Sequence, residues 1–137
     1  MFLLDTNVLS ELRDRNRTDP RVAAWADQID ASDLFPSAVT ILEIELGVFL
    51  LYLRDKRQGA VLRAWIDTKV MPAFEGRILS VDAPVAQRCA RLHVPVPRAE
   101  RDALTVATAL VDGMTVVTRN VADFQPMGVD FINPWER

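Results

Sequence analysis

Short β-like runs alternate with longer helical stretches along the whole chain, and no other feature of the sequence limits the fold as strongly. Phe2 to Leu4 reads as the first strand. A helix follows from about Asn7, with Leu9 and Leu12 inward, and fades in the charged run Arg13 to Arg17. Asp19-Pro20 reads as the N-cap and first residue of a helix running through Val22, Trp25 and Ile29. Leu34-Phe35 makes a short second strand, and Ser37 opens a very apolar helix to about Leu53. From Gly59 to Phe74, the residues Leu62, Trp65, Ile66 and Val70 recur at helical spacing. Ile78 to Val81 reads as a third strand, and Asp82-Ala83-Pro84 caps the helix after it. Val94-Pro95-Val96-Pro97 breaks that helix, and the next runs from Ala99 to Val111 and stops at Gly113. Thr115 to Thr118 is a fourth strand and Asp130 to Ile132 a short fifth. Strands separated by helices imply an α/β fold, a mostly parallel central sheet between two helical layers. No repeat and no Gly/Ser-rich linker divides residues 1–137, so a single domain is expected.

Composition narrows the function. The chain is 50% hydrophobic and 26% charged, which excludes a disordered or collagen-like protein. One cysteine, Cys89, rules out an internal disulfide. Together with the single histidine, His93, it is too little for the usual zinc sites. A net charge of -3 argues against a purely electrostatic nucleic-acid binder, but not against an enzyme that holds RNA through a metal and a few arginines. The apolar run from Ile41 to Leu53 is too short to cross a bilayer and contains Glu43 and Glu45. With no basic leader before Phe2, a cytoplasmic location is expected.

Chemistry has to come from carboxylates, and their positions relative to strand ends are informative. Asp5 directly follows the first strand, and ligands collect beyond the carboxyl ends of parallel strands. Helix capping alone is the competing account of Asp5. Glu43 sits among Ile41, Leu42, Ile44 and Leu46, where an unpaired carboxylate is costly. Thr40, Glu43 and Gly47 share one helix face. Glu45 is about 200° away, so both glutamates cannot serve one site, and Glu45 is expected to face solvent. Asp102 opens a helix of small residues, where Glu100 could equally compensate the helix dipole. Asn120 and Asp123 follow the fourth strand. Asp19 and Asp82 read as caps and His93 as structural. Neither a GxGxxG nor a GxxxxGK[ST] motif is present. A cluster of like charges drawn from four segments is unfavourable unless a hard divalent cation such as Mg²⁺ relieves it.

In this order the segments resemble the PIN-domain ribonucleases of the VapC toxin type. The resemblance is carried by Leu3-Leu4-Asp5-Thr6-Asn7-Val8-Leu9-Ser10-Glu11 and by Ser37 to Glu43 with Gly47 following. It continues in Asp102-Ala103-Leu104-Thr105-Val106-Ala107-Thr108-Ala109, in Val117 to Phe124 and in Asn133-Pro134-Trp135. It implies a Mg²⁺- or Mn²⁺-dependent endoribonuclease, the toxin of a toxin–antitoxin pair, forming a homodimer and neutralised by a cognate antitoxin. It assigns Asp5, Glu43 and Asp102 to the metal and catalysis, with Thr6, Asn7 and Thr118 in support. The fourth acidic position, often Asp two residues after Thr118, is here Asn120. Asn120 and Asp123 therefore remain alternatives for that role, with Asn120 also a candidate metal ligand. Arg98, Arg101 and Arg119 flank the acids and are candidate contacts for RNA or antitoxin, while Arg13, Arg15, Arg17 and Arg21 form a second cluster. A weakened PIN domain that binds RNA or protein without cutting is the alternative. A haloacid-dehalogenase-like phosphatase would need Asp where Asn7 stands, and a receiver domain a lysine after a late strand.

Overall fold

Leu3 and Leu4, neighbours in the first strand, are both fully buried but belong to different hydrophobic cores. Successive strand residues point to opposite faces, so a strand buried on both faces has to lie between two layers. The computed structural model, which describes residues 1–136, has this arrangement. Four parallel strands, β1 (Phe2–Leu4), β2 (Leu34–Phe35), β3 (Thr115–Val117) and β4 (Phe131–Ile132), lie in the order β2-β1-β3-β4. In register, Leu3 pairs with Val116 and Leu4 with Val117, so each face receives one apolar residue from each central strand.

On the Leu4 face pack α1 (Thr6–Glu11), α2 (Pro20–Asp27), α3 (Ala38–Arg54) and α4 (Lys56–Trp65), through Val8, Val22, Trp25, Val48 and other buried residues. On the Leu3 face pack α6 (Ala83–Leu92), α7 (Glu100–Asp112) and α8 (Val121–Phe124), through Val85, Cys89, Val106 and Phe124. The short helix α5 (Met71–Ala73) continues α4 after a π-helical turn at Ile66–Val70. Capping fixes the helix starts: Asp19 accepts from the Arg21 amide at 2.8 Å, and Asp82 from the Val85 amide at 3.1 Å. Gly113 ends α7 at φ +68°, a left-handed conformation that favours glycine.

Two sequence expectations are corrected. Ile78 to Val81 is not a strand. It makes a single parallel bridge, Leu79 to Ser37, because β2 ends after two residues and the next residue, Pro36, has no N–H to continue a ladder. The helix expected from Gly59 begins earlier, at Lys56, because the Asp55 carboxylate accepts from the amides of Arg57 and Gln58 at 3.1 Å each. Gly59 instead marks where α4 crosses α3. A Cβ there would lie 2.7 Å from the Tyr52 ring and 3.0 Å from the Tyr52 Cα. Gly59→Ala is therefore expected to destabilise the fold by about 1–2 kcal/mol despite alanine's better helix propensity, read as a lower Tm.

Among the described residues no helix is long and apolar enough to cross a membrane. Helix α3 does leave an apolar row uncovered: Leu42, Leu46, Phe49, Leu50 and Leu53, with Leu53 84% exposed.

Candidate metal centre

The strand order reverses direction at β1, since β2 lies on one side of it and β3 on the other. In parallel sheets the crevice beyond the carboxyl ends of two such strands is where ligands bind. Asp5 and Thr118 are the first residues past β1 and β3. The Asp5 amide still donates to the Val117 carbonyl at 2.9 Å, extending the ladder by one bond and fixing the backbone beneath the side chain.

The Asp5 carboxylate is 7% exposed and accepts three hydrogen bonds. The Thr6 amide donates to Oδ1 at 2.9 Å, while the Thr118 hydroxyl at 2.8 Å and the Asn7 amide nitrogen at 3.2 Å donate to Oδ2. Burial pushes its pKa up from the usual 3.8, against the lowering effect of the Thr118 and Thr6 bonds, and the charges of Glu43 and Asp102 add to the rise. An acid with three donors that is still hard to ionise lacks a countercharge, not hydrogen bonds.

Glu43 arrives from α3. That helix is pinned to the end of β1 by buried Thr40, whose hydroxyl donates to the Leu4 carbonyl at 3.3 Å. One turn on, Glu43 accepts from the Thr6 hydroxyl at 2.7 Å, and the Arg101 guanidinium lies 3.7 Å from its other oxygen. Asp102, in the first turn of α7, is half-buried. Its pKa is raised by burial first, then by Asp123 and Glu43. Glu43 and Asp102 thus act on Asp5, and Asp123 and Glu43 on Asp102, from four separate segments.

Other sequence candidates lie differently. Glu45 is held by Arg63 through two bonds of 2.6 and 2.8 Å, and Arg63 also grips Asp67 at 2.9 Å. That pairing lowers the Glu45 pKa; the side chain stays partly exposed and ties α3 to α4 through Arg63. Glu43→Gln is expected to reduce metal-dependent activity by about 10²-fold, whereas Glu45→Gln leaves activity intact and costs at most about 1 kcal/mol of stability; parallel cleavage and melting assays check both. Asn120 is exposed and supplies its backbone N–H to the Thr118 hydroxyl at 3.0 Å. Arg119 contributes its amide to Asn7 Oδ1 at 3.3 Å, and its guanidinium lies 5.1 Å from the Trp135 ring centroid. Arg98 lines a cavity together with Asp102 and Asp123. Of the other arginines, Arg15, Arg17 and Arg21 pair with Asp27, Asp14 and Asp19, and Arg13 lies over Trp65.

The donor set is all oxygen, which suits a hard divalent ion. Among the described residues, no three of these acids bring one oxygen each within 4.8 Å of one another. Such spacing suits Mg²⁺, which keeps several waters and takes only one or two direct carboxylates. Cys89, His93 and Glu100 do lie that close together. There, however, His93 Nδ1 accepts from the Arg98 amide at 3.1 Å, so the neutral ring carries its proton on Nε2, the nitrogen that faces Cys89 and Glu100. A protonated nitrogen is no ligand, and the trio acts as a polar clamp.

Comparison with known proteins settles the family. The PIN domain family matches residues 2–125. The chain belongs to the PIN-domain family. Toxin FitB of Neisseria gonorrhoeae is 39% identical to this PIN domain over 140 residues, covering 98% of the chain and 99% of FitB. VapC ribonuclease Y4jK of Sinorhizobium fredii is 33% identical, over 99% of both. The crystal structure of FitAcB from Neisseria gonorrhoeae superposes with a TM-score of 0.90 at 36% identity, covering 100% of each chain.

Proposed function

We propose that this single-domain PIN protein is a metal-dependent endoribonuclease and the toxin of a toxin–antitoxin pair, working in the cytoplasm. The observation that carries the reading is the buried Asp5 carboxylate, held by three donors and still raised in pKa, facing Glu43 and Asp102. Relatives named a toxin and a VapC ribonuclease support the activity, and the FitAcB complex supports a protein partner.

Asp5, Glu43 and Asp102 would hold Mg²⁺ or Mn²⁺. Such an ion supplies Lewis acidity toward a phosphodiester and makes water a competent nucleophile near neutral pH. The chain's own residues do the positioning. Thr118 and Asn7 orient Asp5, and Thr6 orients both Asp5 and Glu43. Asp123, whose charge already acts on Asp102, fills the fourth acidic role, with Asn120 holding Thr118 in place from the loop. Arg101 lies 3.7 Å from Glu43, offsets part of its charge, and would contact a backbone phosphate of the RNA. The phosphodiester is hydrolysed in one displacement with no covalent enzyme intermediate, leaving a 5′-phosphate and a 3′-hydroxyl.

The uncovered apolar row on α3 supports assembly with protein, as a homodimer and with a cognate antitoxin. Expression of the chain alone in bacteria is expected to arrest growth, and Asp5→Asn to restore it. Unimpaired growth at high levels of the folded wild-type protein would count against the toxin reading.

A further inference from the structure

Helix α1 leads from the metal centre to a concave surface that holds none of its acids. Thr6, which donates to Glu43 at 2.7 Å, opens that helix. Ser10 stands one turn further along the same face, about 6 Å on. Ser10 is exposed and lines a cavity of about 330 Å³ between the end of α1 and the end of α4. From α4 come Leu62 and Trp65. Arg63, between them in sequence, holds Glu45, two residues from Glu43, so cavity and acids lie at the same end of the α3–α4 pair. Arg13 enters from the loop after α1, its guanidinium over the Trp65 ring and 6.0 Å from the centroid. Among the described residues Arg13 has no acid partner, whereas Arg17, the other lining cation, stands 3.9 Å from Asp14. The two acids of the wall are engaged: Glu11 accepts from the Asp19 amide at 3.2 Å, and Asp14 from the Asn16 amide at 3.0 Å. The groove therefore offers one uncommitted guanidinium beside an aromatic and an aliphatic side chain.

We propose that this groove is an RNA-holding subsite, seating one unpaired nucleotide of the strand that flanks the scissile phosphate. The inference rests on the ribonuclease reading above and adds the path of the substrate. Arg13 pairs with that nucleotide's phosphate, and its base packs on Trp65 and Leu62. The charge and planar fork of an exposed guanidinium suit a phosphate. The volume falls at the low end of the roughly 300–1,000 Å³ of small-molecule pockets, which fits a single nucleotide. The span fits as well, because one turn of α1 is a distance that the backbone of one nucleotide covers. Every base has an aromatic face to pack, so the contact holds RNA of any sequence. A strand whose phosphate sits at the metal has to leave along a neighbouring surface, and α1 leads from the metal into this one. That continuity favours RNA over an acidic peptide as the occupant.

The test is tryptophan fluorescence of the full-length, antitoxin-free protein titrated in EDTA with single-stranded decauridylate, alongside cleavage of total RNA in Mg²⁺. Trp25 and Trp135 are buried and Trp65 is not, so quenching by the bases reports Trp65. Quenching is expected in the wild type and in Arg15→Met, which removes a cation that pairs with Asp27 and does not line the groove. It is expected to vanish in Trp65→Phe. Arg13→Met, which keeps the apolar stem, should weaken binding about tenfold at low salt. It should also reduce the slope of log K against log salt by about 0.7, the loss of one phosphate contact on a single strand. In Mg²⁺ the same variant should raise KM for RNA and leave kcat nearly unchanged. Quenching that persists in Trp65→Phe, or a salt slope unchanged in Arg13→Met, overturns the subsite, and the nuclease reading survives if RNA is still cut. Quenching by a glutamate-rich peptide but not by RNA also overturns it. Binding that depends on Arg13 and Trp65 in a protein that never cleaves RNA upholds the subsite and overturns the nuclease reading instead.

Discussion

Asp5→Asn is expected to reduce RNA cleavage by about 10³-fold or more while the protein stays folded. Asp5 is the one acid anchored by backbone and by three side-chain bonds, so its position is the best defined in the site. Asparagine keeps the acceptor for the Thr6 amide. The group replacing Oδ2 meets the Thr118 hydroxyl, which can turn to accept, and the Asn7 amide, which can flip. Any lost hydrogen bonding is offset by removal of a buried charge that Glu43 and Asp102 already oppose. Cleavage rate and Tm measured side by side separate the two effects: activity collapses and the Tm in EDTA moves little.

Asp102→Asn is expected to do something less usual, raising metal-free stability while it abolishes function. Burial, Asp123 and Glu43 raise the folded-state pKa of Asp102 above the usual 3.8. The folded protein therefore binds this proton more tightly than the unfolded chain does. Stability is undiminished at pH below 3.8, and falls as pH rises toward and through the raised folded value. At neutral pH the full penalty is present, and asparagine removes it. In EDTA the variant should melt above the wild type at pH 7.5 and level with it near pH 3.5. Metal reverses the order. At a hundredfold excess over its Kd, Mn²⁺ should stabilise the wild type by about 2.7 kcal/mol, and the variant hardly at all. In a chain of this length that is a rise of roughly 5–10 °C.

Much of this was legible before the structure, for identifiable reasons. The four sheet strands are short apolar runs, and the two central ones end at Asp5 and Thr118, so strand end and site coincide. The separation of Glu43 from Glu45 follows from helical geometry, and the structure places them on different sides, one against Thr6 and the other against Arg63. The expected strand at Ile78 to Val81 failed because its partner strand is stopped by Pro36, a pairing fact that no local pattern carries. The stacking of Arg119 on Trp135, sixteen residues on, was not legible, because nearness to Thr118 in sequence does not set side-chain direction. Thr40 was recognised as sharing the Glu43 face, but its bond to the end of β1 depends on where α3 docks.

The most direct test of the metal centre is cleavage of total bacterial RNA by the purified, antitoxin-free protein in Mg²⁺, in Mn²⁺ and in EDTA, beside Asp5→Asn and Asp102→Asn. Discrete products that require metal and vanish in both variants are the predicted result. Products that persist in EDTA, or form undiminished in either variant, would contradict a nuclease built on these acids.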